Sequence, residues 1–302
     1  VNTIEKALLK KQSNTQNEST ESTNTNSIER SLELSASEEV QKKTDVRHKP
    51  IVIETEQSDA RFVKIDLSKL NEKGFVSSNS SRQLINEEYR AIKRKILDNA
   101  FGALSKSLTN PNIIMVTSSR PGEGKTFTAI NLALSIALEQ DKTVLLVDAD
   151  VLRPNVMRTL ELSDKQGLME YLLGEKTDIA DVIYQTNISN LRIIPAGKSH
   201  HLSTELLASE KMYQAVEEFA NRYTDRVVIV DTPPLLGINE TAILANLAGQ
   251  AIVVTEENKT KLTDLDKAVK QLNPEMAIGF VVNKSQSVSS DVGYGYYYRG
   301  AN

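Results

Sequence analysis

Six short, mostly apolar runs punctuate the chain, at residues 113–117, 143–147, 191–194, 227–230, 251–255 and 278–282. None alternates apolar with polar positions, so each reads as a strand buried on both faces, as in a parallel sheet covered by helices. Between them, helical stretches near 125–140, 205–222, 238–248 and 262–272 are long enough for right-handed crossovers. The pattern predicts a doubly wound α/β domain, a mostly parallel sheet with helices on both faces. Ligands in such sheets bind beyond the carboxyl ends of the strands. Upstream, Arg82 to Leu104 has helical periodicity, with Leu84, Ile85, Tyr89, Ile92, Ile96 and Leu97 apolar and Glu87, Glu88, Arg90, Lys93, Arg94 and Lys95 between them.

The first part of the chain has a different character. Residues 11–50 are dominated by Ser, Thr, Asn, Gln, Glu and Lys, and no Phe, Tyr or Trp occurs before Phe62. Such a segment buries too little apolar surface to offset its ordering entropy, which predicts disorder. Ile4, Ala7 and Leu8 have helical spacing between Thr3 and Lys10-Lys11, consistent with either a short docking helix or a transient one. Two weak β-like pieces, Ile51-Val52-Ile53 and Phe62-Val63-Lys64-Ile65, fall in a linker expected to lie on the core domain. The organisation expected is a largely disordered segment over 1–80, a domain over 81–290 and a flexible tail over 291–302.

Composition narrows the possible chemistry. At 302 residues and 39% hydrophobic, the chain accommodates one sizeable α/β domain with a tail. A formal net charge of −4 gives no general reason to expect nucleic-acid binding. The absence of cysteine excludes disulfides and thiolate metal sites. With no 18-residue apolar run and no leader-like start, a cytoplasmic location is expected. His200 and His201 have no third ligand at metal spacing and read as a solvated loop.

The run Ile113 to Thr117 leads into Ser118-Ser119-Arg120-Pro121-Gly122-Glu123-Gly124-Lys125-Thr126. Strand, glycine-rich turn, Gly-Lys-Thr and an apolar, alanine-rich helix from Phe127 form a phosphate-binding loop in its expected context. Residues Pro121, Gly122, Glu123, Gly124, Lys125, Thr126 and Phe127 are the candidate nucleotide-binding set. Lys125 reaches the β/γ oxygens, and the Thr126 hydroxyl ligates Mg²⁺. The strict pattern has Gly where this chain has Ser119. Two more apolar runs end in acids, at Asp148-Ala149-Asp150 and at Asp231-Thr232-Pro233-Pro234. An acid directly after a buried strand is costly unless it enters a polar site at the strand tip. Asp148 and Asp231, with Thr126, are the candidate metal organisers. Near the end, Gly293-Tyr294-Gly295-Tyr296-Tyr297-Tyr298 places four of nine tyrosines within five positions. Glycines around the cluster and its proximity to the terminus suggest an exposed phosphoacceptor tail, with Tyr294, Tyr296, Tyr297 and Tyr298 as acceptors. A recognition tail or edge strand is the alternative.

Together, the Pro-Gly-Glu-Gly-Lys-Thr loop, Asp148-Ala149-Asp150, Asp231-Thr232-Pro233-Pro234 and the terminal tyrosines resemble the bacterial tyrosine kinases of exopolysaccharide and capsule export. The resemblance covers roughly residues 80–302. Thr3-Ile4-Glu5-Lys6-Ala7-Leu8 also resembles the start of the cytosolic members. The family uses a P-loop fold related to the MinD and ParA ATPases. The resemblance implies an ATP- and Mg²⁺-dependent autokinase phosphorylating its tail in trans, with Lys125, Asp148, Asp150 and Asp231 catalytic and Asp150 the candidate base. It implies work at the inner membrane with a membrane-embedded polysaccharide co-polymerase, a Wzz-type chain-length regulator. A protein-tyrosine phosphatase and further copies of the chain are the other implied partners. In the family, a Glu-x-x-Arg-x-x-Arg helix motif packs one subunit on the next in a ring. Here it is Glu87, Arg90 and Lys93, and Lys lacks the guanidinium fork. The family's Asp-x-Asp-x-Arg motif has Leu152 where Arg is usual, with Arg153 one position later. A MinD- or ParA-type ATPase switch is the rival reading. Its signature Lys position corresponds to Arg120, which disfavours it. A non-enzymatic adaptor is the third.

Overall fold

The computed structural model describes residues 61–77 and 84–285. In chain order these form β1 (Phe62–Val63), α1 (Leu67–Glu72), α2 (Leu84–Phe101), β2 (Ile113–Ser118), α3 (Lys125–Ala137), β3 (Thr143–Asp148), α4 (Val156–Thr159) and α5 (Leu168–Leu172). There follow β4 (Tyr184–Thr186), β5 (Leu191–Ile194), α6 (Ser203–Leu207), α7 (Glu210–Asn221), β6 (Arg226–Asp231), α8 (Asn239–Ala245), β7 (Gln250–Glu256), α9 (Leu262–Val269) and β8 (Ala277–Asn283). The strands make one eight-stranded sheet in the order β1-β4-β5-β3-β6-β2-β7-β8. All neighbours pair in parallel except β4 and β5.

Each of the six apolar runs became a strand, but β8 is not buried on both faces as expected, because it is the edge strand and leaves Phe280 and Val282 more than half exposed. In β3 and β6 successive side chains point to opposite faces. Leu145, Val147 and Val228 enter one core, while Val144, Leu146, Val227 and Ile229 enter the other. Both faces are thus covered, which is why no polar alternation shows in these strands. Helix α3 is buried almost all round, matching its alanine-rich composition.

Local differences have local causes. The expected helix at 205–222 is two helices, because Ser209 adopts an extended conformation (φ −77°, ψ 156°) and its side chain accepts from Met212 N to start α7. The three-residue β4 and the short α1, α4 and α5 are too brief to leave a periodic signal. Residues 61–77, read as a linker lying on the core domain, lie on it through β1, which pairs with β4, and through buried Phe75 and Val76. Asn187 brackets Ile65 by accepting from its N (2.8 Å) and donating to its O (3.0 Å), and Asn131 Oδ1 accepts from Val76 N at 2.7 Å. The N-terminal disorder, the docking helix, the Ile51–Ile53 piece and the tyrosine cluster lie outside the described residues. No helix among the described residues is long and apolar enough to cross a membrane.

Candidate active site

Beyond Ser118 the chain turns into α3 through two residues in the left-handed region, Gly122 (φ +87°) and Gly124 (φ +102°). An L side chain there would cost roughly 1–2 kcal/mol. Gly124 also lacks room, since a Cβ would meet Asn283 Nδ2 at 1.9 Å. No side chain caps the N-terminus of α3. Its first amides, with the positive end of the helix dipole, therefore suit an incoming anion.

The loop is braced from behind. Buried Glu123 accepts hydrogen bonds from the Ser119 hydroxyl (2.9 and 3.0 Å), Arg120 N (2.8 Å) and the Thr260 hydroxyl (2.5 Å). Asn283 Nδ2 donates to Glu123 O at 3.0 Å, and Lys284 Nζ donates to Gly122 O at 2.7 Å while pairing with Glu256. Ser119, the departure from the strict loop pattern, is thus a fully buried anchor for Glu123. Glu123 contributes its side chain to the brace, so only its backbone is left to a ligand. Similarly, the Phe127 ring packs on Phe75, centroids 4.8 Å apart. Arg120 Nε reaches Asp264 Oδ2 on α9 at 2.7 Å.

The strand-end acids converge on this loop. The β3–β6 register sets Asp148 directly opposite Asp231. Asp148 accepts from Asp150 N (3.2 Å), Asn155 N (3.0 Å) and Val156 N (2.9 Å), fixing the turn into α4. Burial pushes its pKa up to about 6, although two of those backbone donors oppose the rise. Burial also pushes Asp231 up to about 7, against the pull of the Lys125 charge. Asp231 Oδ2 accepts from the Thr126 hydroxyl at 2.7 Å. Its other oxygen is buried without a hydrogen-bond partner among the described residues, and the Lys125 ammonium stands 4.0 Å away. Lys125 Nζ instead donates to Asp150 Oδ2 at 2.6 Å. Burial works to lower the Lys125 pKa, but the Asp231 and Asp150 charges outweigh it and the net shift is upward.

One ammonium facing three carboxylates leaves the site short of positive charge. That imbalance, the orphaned Asp231 oxygen and the adjacent Thr126 hydroxyl suit a hydrated divalent cation. Among the described residues no group of three His, Asp or Glu side chains could hold a metal alone. A cation here would draw its remaining ligands from water and a bound phosphate.

The other predicted residues separate. On α2, Glu87 and Arg90 form an exposed ion pair (2.7 and 2.9 Å). Lys93 leaves that surface: it is buried, donates to Ser135 O at 3.2 Å and pairs with Glu139. Its long stem reaches the end of α3, so it belongs to the domain's own packing. Arg153 is exposed, and only its backbone N touches the site, donating to Asp150 Oδ1 at 3.1 Å. Asn283, the last residue of β8, braces the loop. The bracing roles of Thr260, Asp264 and Lys284 had no sequence signal, being more than 130 residues from their partners.

An AAA domain family matches residues 111–278, over half of the chain. Tyrosine-protein kinase YwqD of Bacillus subtilis is 31% identical over 75% of this chain and 92% of its own length. The chain belongs to the bacterial tyrosine kinase family. Tyrosine-protein kinase CpsD of Streptococcus agalactiae is 35% identical, with 59% of this chain matched to 77% of that one. The EpsB relative from Ralstonia nicotianae, named a putative tyrosine-protein kinase, is 34% identical over 62% of this chain but only 25% of its own length. The kinase domain of the Escherichia coli tyrosine kinase ETK superposes with a TM-score of 0.58 at 26% identity, covering 76% of this chain and 93% of that domain. As a member of this kinase family the chain is an enzyme with a P-loop ATPase fold.

Proposed function

We propose that the chain is an ATP- and Mg²⁺-dependent tyrosine autokinase. It phosphorylates Tyr294, Tyr296, Tyr297 and Tyr298 of a neighbouring copy. The observation that carries the reading is the convergence of Lys125, Thr126, Asp148, Asp150 and Asp231 on one phosphate loop. ATP supplies the γ-phosphoryl group, and Mg²⁺ neutralises charge on the phosphates.

The protein's own groups do the rest. Loop amides and Lys125 bind and orient the phosphates. In moving towards them, Lys125 leaves Asp150, whose carboxylate is then free to accept the tyrosine hydroxyl proton. A phenol of pKa about 10 is a weak nucleophile, but a loose transition state asks more of positioning than of deprotonation. Thr126 and Asp231 would hold the cation and its water, while Asp148 holds the turn that carries Asp150. Strand β8 ends at Asn283 beside the loop, and Tyr294 follows 11 residues later. That length reaches at most about 38 Å, enough to leave one site and approach another. The Arg120–Asp264 ion pair occupies the position where the ATPase-switch rival would need a free cation.

In the cell, we place this activity in exopolysaccharide polymerisation and export. The kinase would sit at the inner membrane through a Wzz-type co-polymerase, as a ring-shaped homo-oligomer contacting through the exposed Glu87–Arg90 face, and be reset by a protein-tyrosine phosphatase. Mass spectrometry of the chain after incubation with Mg-ATP tests the chemistry. Gains of about 80 Da on Tyr294 to Tyr298, absent from Lys125→Met and from a chain ending at Asp291, are expected. Phosphate release with no mass gain would replace the reading with an ATPase switch.

A further inference from the structure

A second concentration of positive charge lies away from the phosphate loop. Arg192 is the second residue of β5 and Arg226 the first of β6, so both stand at the N-terminal ends of strands whose other ends face the loop. Arg226 and Asp231 are five positions apart on β6, about 17 Å along the strand. Arg192 and Arg226, with Arg61 before β1 and Arg222 at the end of α7, line a cavity of ≈ 410 Å³.

Two of these four guanidinium groups are accounted for. Arg61 donates to Ala180 O at 2.8 Å and stands 3.7 Å from Asp181, and Arg222 pairs with Glu218. Among the described residues neither Arg192 nor Arg226 has a carboxylate within ion-pair distance. Arg226 is only 5% exposed, and its guanidinium carbon stands over the Tyr223 ring, 3.8 Å from the centroid. Asp225, the adjacent acid, accepts from the Thr143 hydroxyl at 3.2 Å. Burial and the Arg192 charge push the Arg226 guanidinium below its ordinary pKa, although Tyr223 and Asp225 pull the other way. A buried cation set beside a second cation is costly, and an aromatic face offsets part of that cost. An anion in the cavity would offset the rest.

We infer that this cavity is a second anion site, taking a small organic phosphate at the N-terminal ends of β5 and β6. Guanidinium forks approaching from several strands and a helix suit the tetrahedral, multiply charged phosphate better than a single planar carboxylate. The volume exceeds what an inorganic ion fills, and Ile183, Phe219 and Tyr223 give apolar wall for the remainder of the molecule. Nothing in the kinase chemistry uses this pocket.

Isothermal titration of the full chain, saturated with Mg-ADP to fill the phosphate loop, tests the site with phenyl phosphate and inorganic phosphate as probes. The same titration in the Lys125→Met chain checks that the signal is independent of the loop. One saturable phenyl phosphate site is expected, with inorganic phosphate binding about tenfold more weakly because it leaves the apolar wall empty. Arg192→Glu should weaken phenyl phosphate by about tenfold or more while leaving ADP affinity unchanged. It should also raise the melting temperature, because it replaces a repulsion at Arg226 with an attraction. Arg61→Gln, at an exposed position, should weaken binding more mildly. No saturable binding to the wild type, equal binding by Arg192→Glu, or loss of the signal in a Lys125→Met chain shown by circular dichroism to be folded would overturn the site. Equal affinity for the two probes would overturn the organic phosphate as its ligand.

Discussion

Replacing Asp231 with Asn should make the ligand-free protein more stable at neutral pH, and the gain should vanish in acid. Asp231 ordinarily titrates near 3.8, and burial carries it to about 7 in the folded protein. Between those values the folded chain holds a proton that the unfolded chain has released. Stability therefore falls as pH rises from about 4 to about 7 and levels off above. At about 1.4 kcal/mol for each tenfold change in proton affinity, the full shift from 3.8 to about 7 is worth about 4 kcal/mol. Asp148, carried from 3.8 to about 6, adds a second loss of the same sign. The two titrate against each other and against Lys125, so the observable effect of Asp231→Asn is set at about 2–4 kcal/mol near pH 7.5. Asn keeps an oxygen for the Thr126 hydroxyl and removes only the charge. The assay is urea unfolding of both proteins, free of nucleotide and metal, at pH 5.0 and 7.5. The wild type should lose stability over that interval, and the variant should lose less. A wild type as stable at pH 7.5 as at 5.0, or a variant less stable than wild type at pH 7.5, would refute the reasoning.

Lys125→Met removes the only ammonium among three buried acids, and should cost about 3–5 kcal/mol at pH 7.5. Part of that should return at pH 5, when Asp148 and Asp231 take up protons; a loss independent of pH would point to packing instead. Gly124→Ala should weaken Mg-ADP binding by at least about tenfold, from left-handed strain and the Asn283 clash. Unchanged affinity by calorimetry would show that the loop has another stable form. Lys93→Met should lower stability by about 1–3 kcal/mol, through loss of the Ser135 and Glu139 contacts, while the light-scattering mass stays the same. Lost assembly at unchanged stability would instead put Lys93 between subunits. Ser119→Gly, which restores the strict loop pattern, should lower the melting temperature, since Glu123 loses a buried donor worth about 1 kcal/mol. A higher melting temperature would mean that the serine is tolerated and not used.

The sequence by itself determined six of the eight strands and the loop. Strands buried on both faces are apolar through their middles, so β2, β3, β6 and β7 announce themselves without reference to any partner, while β5 carries Arg192 and β8 is an apolar but exposed edge strand. The glycines, Lys125 and Thr126 are contiguous, and contiguous chemistry is legible. Asp148 and Asp231 were legible for the same reason, each an acid at the end of an apolar run. Only the tertiary structure decided what depends on residues far apart in the chain. The β3–β6 register faces Asp148 with Asp231, and the reach of a lysine ties Lys125 to Asp150. Residues of α9 and the end of β8 fasten the back of the loop. Lys93 shows the same limit from the other side, since the family resemblance grouped it with Glu87 and Arg90 but the packing of α2 on α3 turned it inward. The arginine cavity has no sequence signature either, because its four guanidinium groups come from three separate stretches of the chain and meet only when the sheet forms. Local pattern records what a segment must bury, and the fold alone records which buried and charged groups end up together.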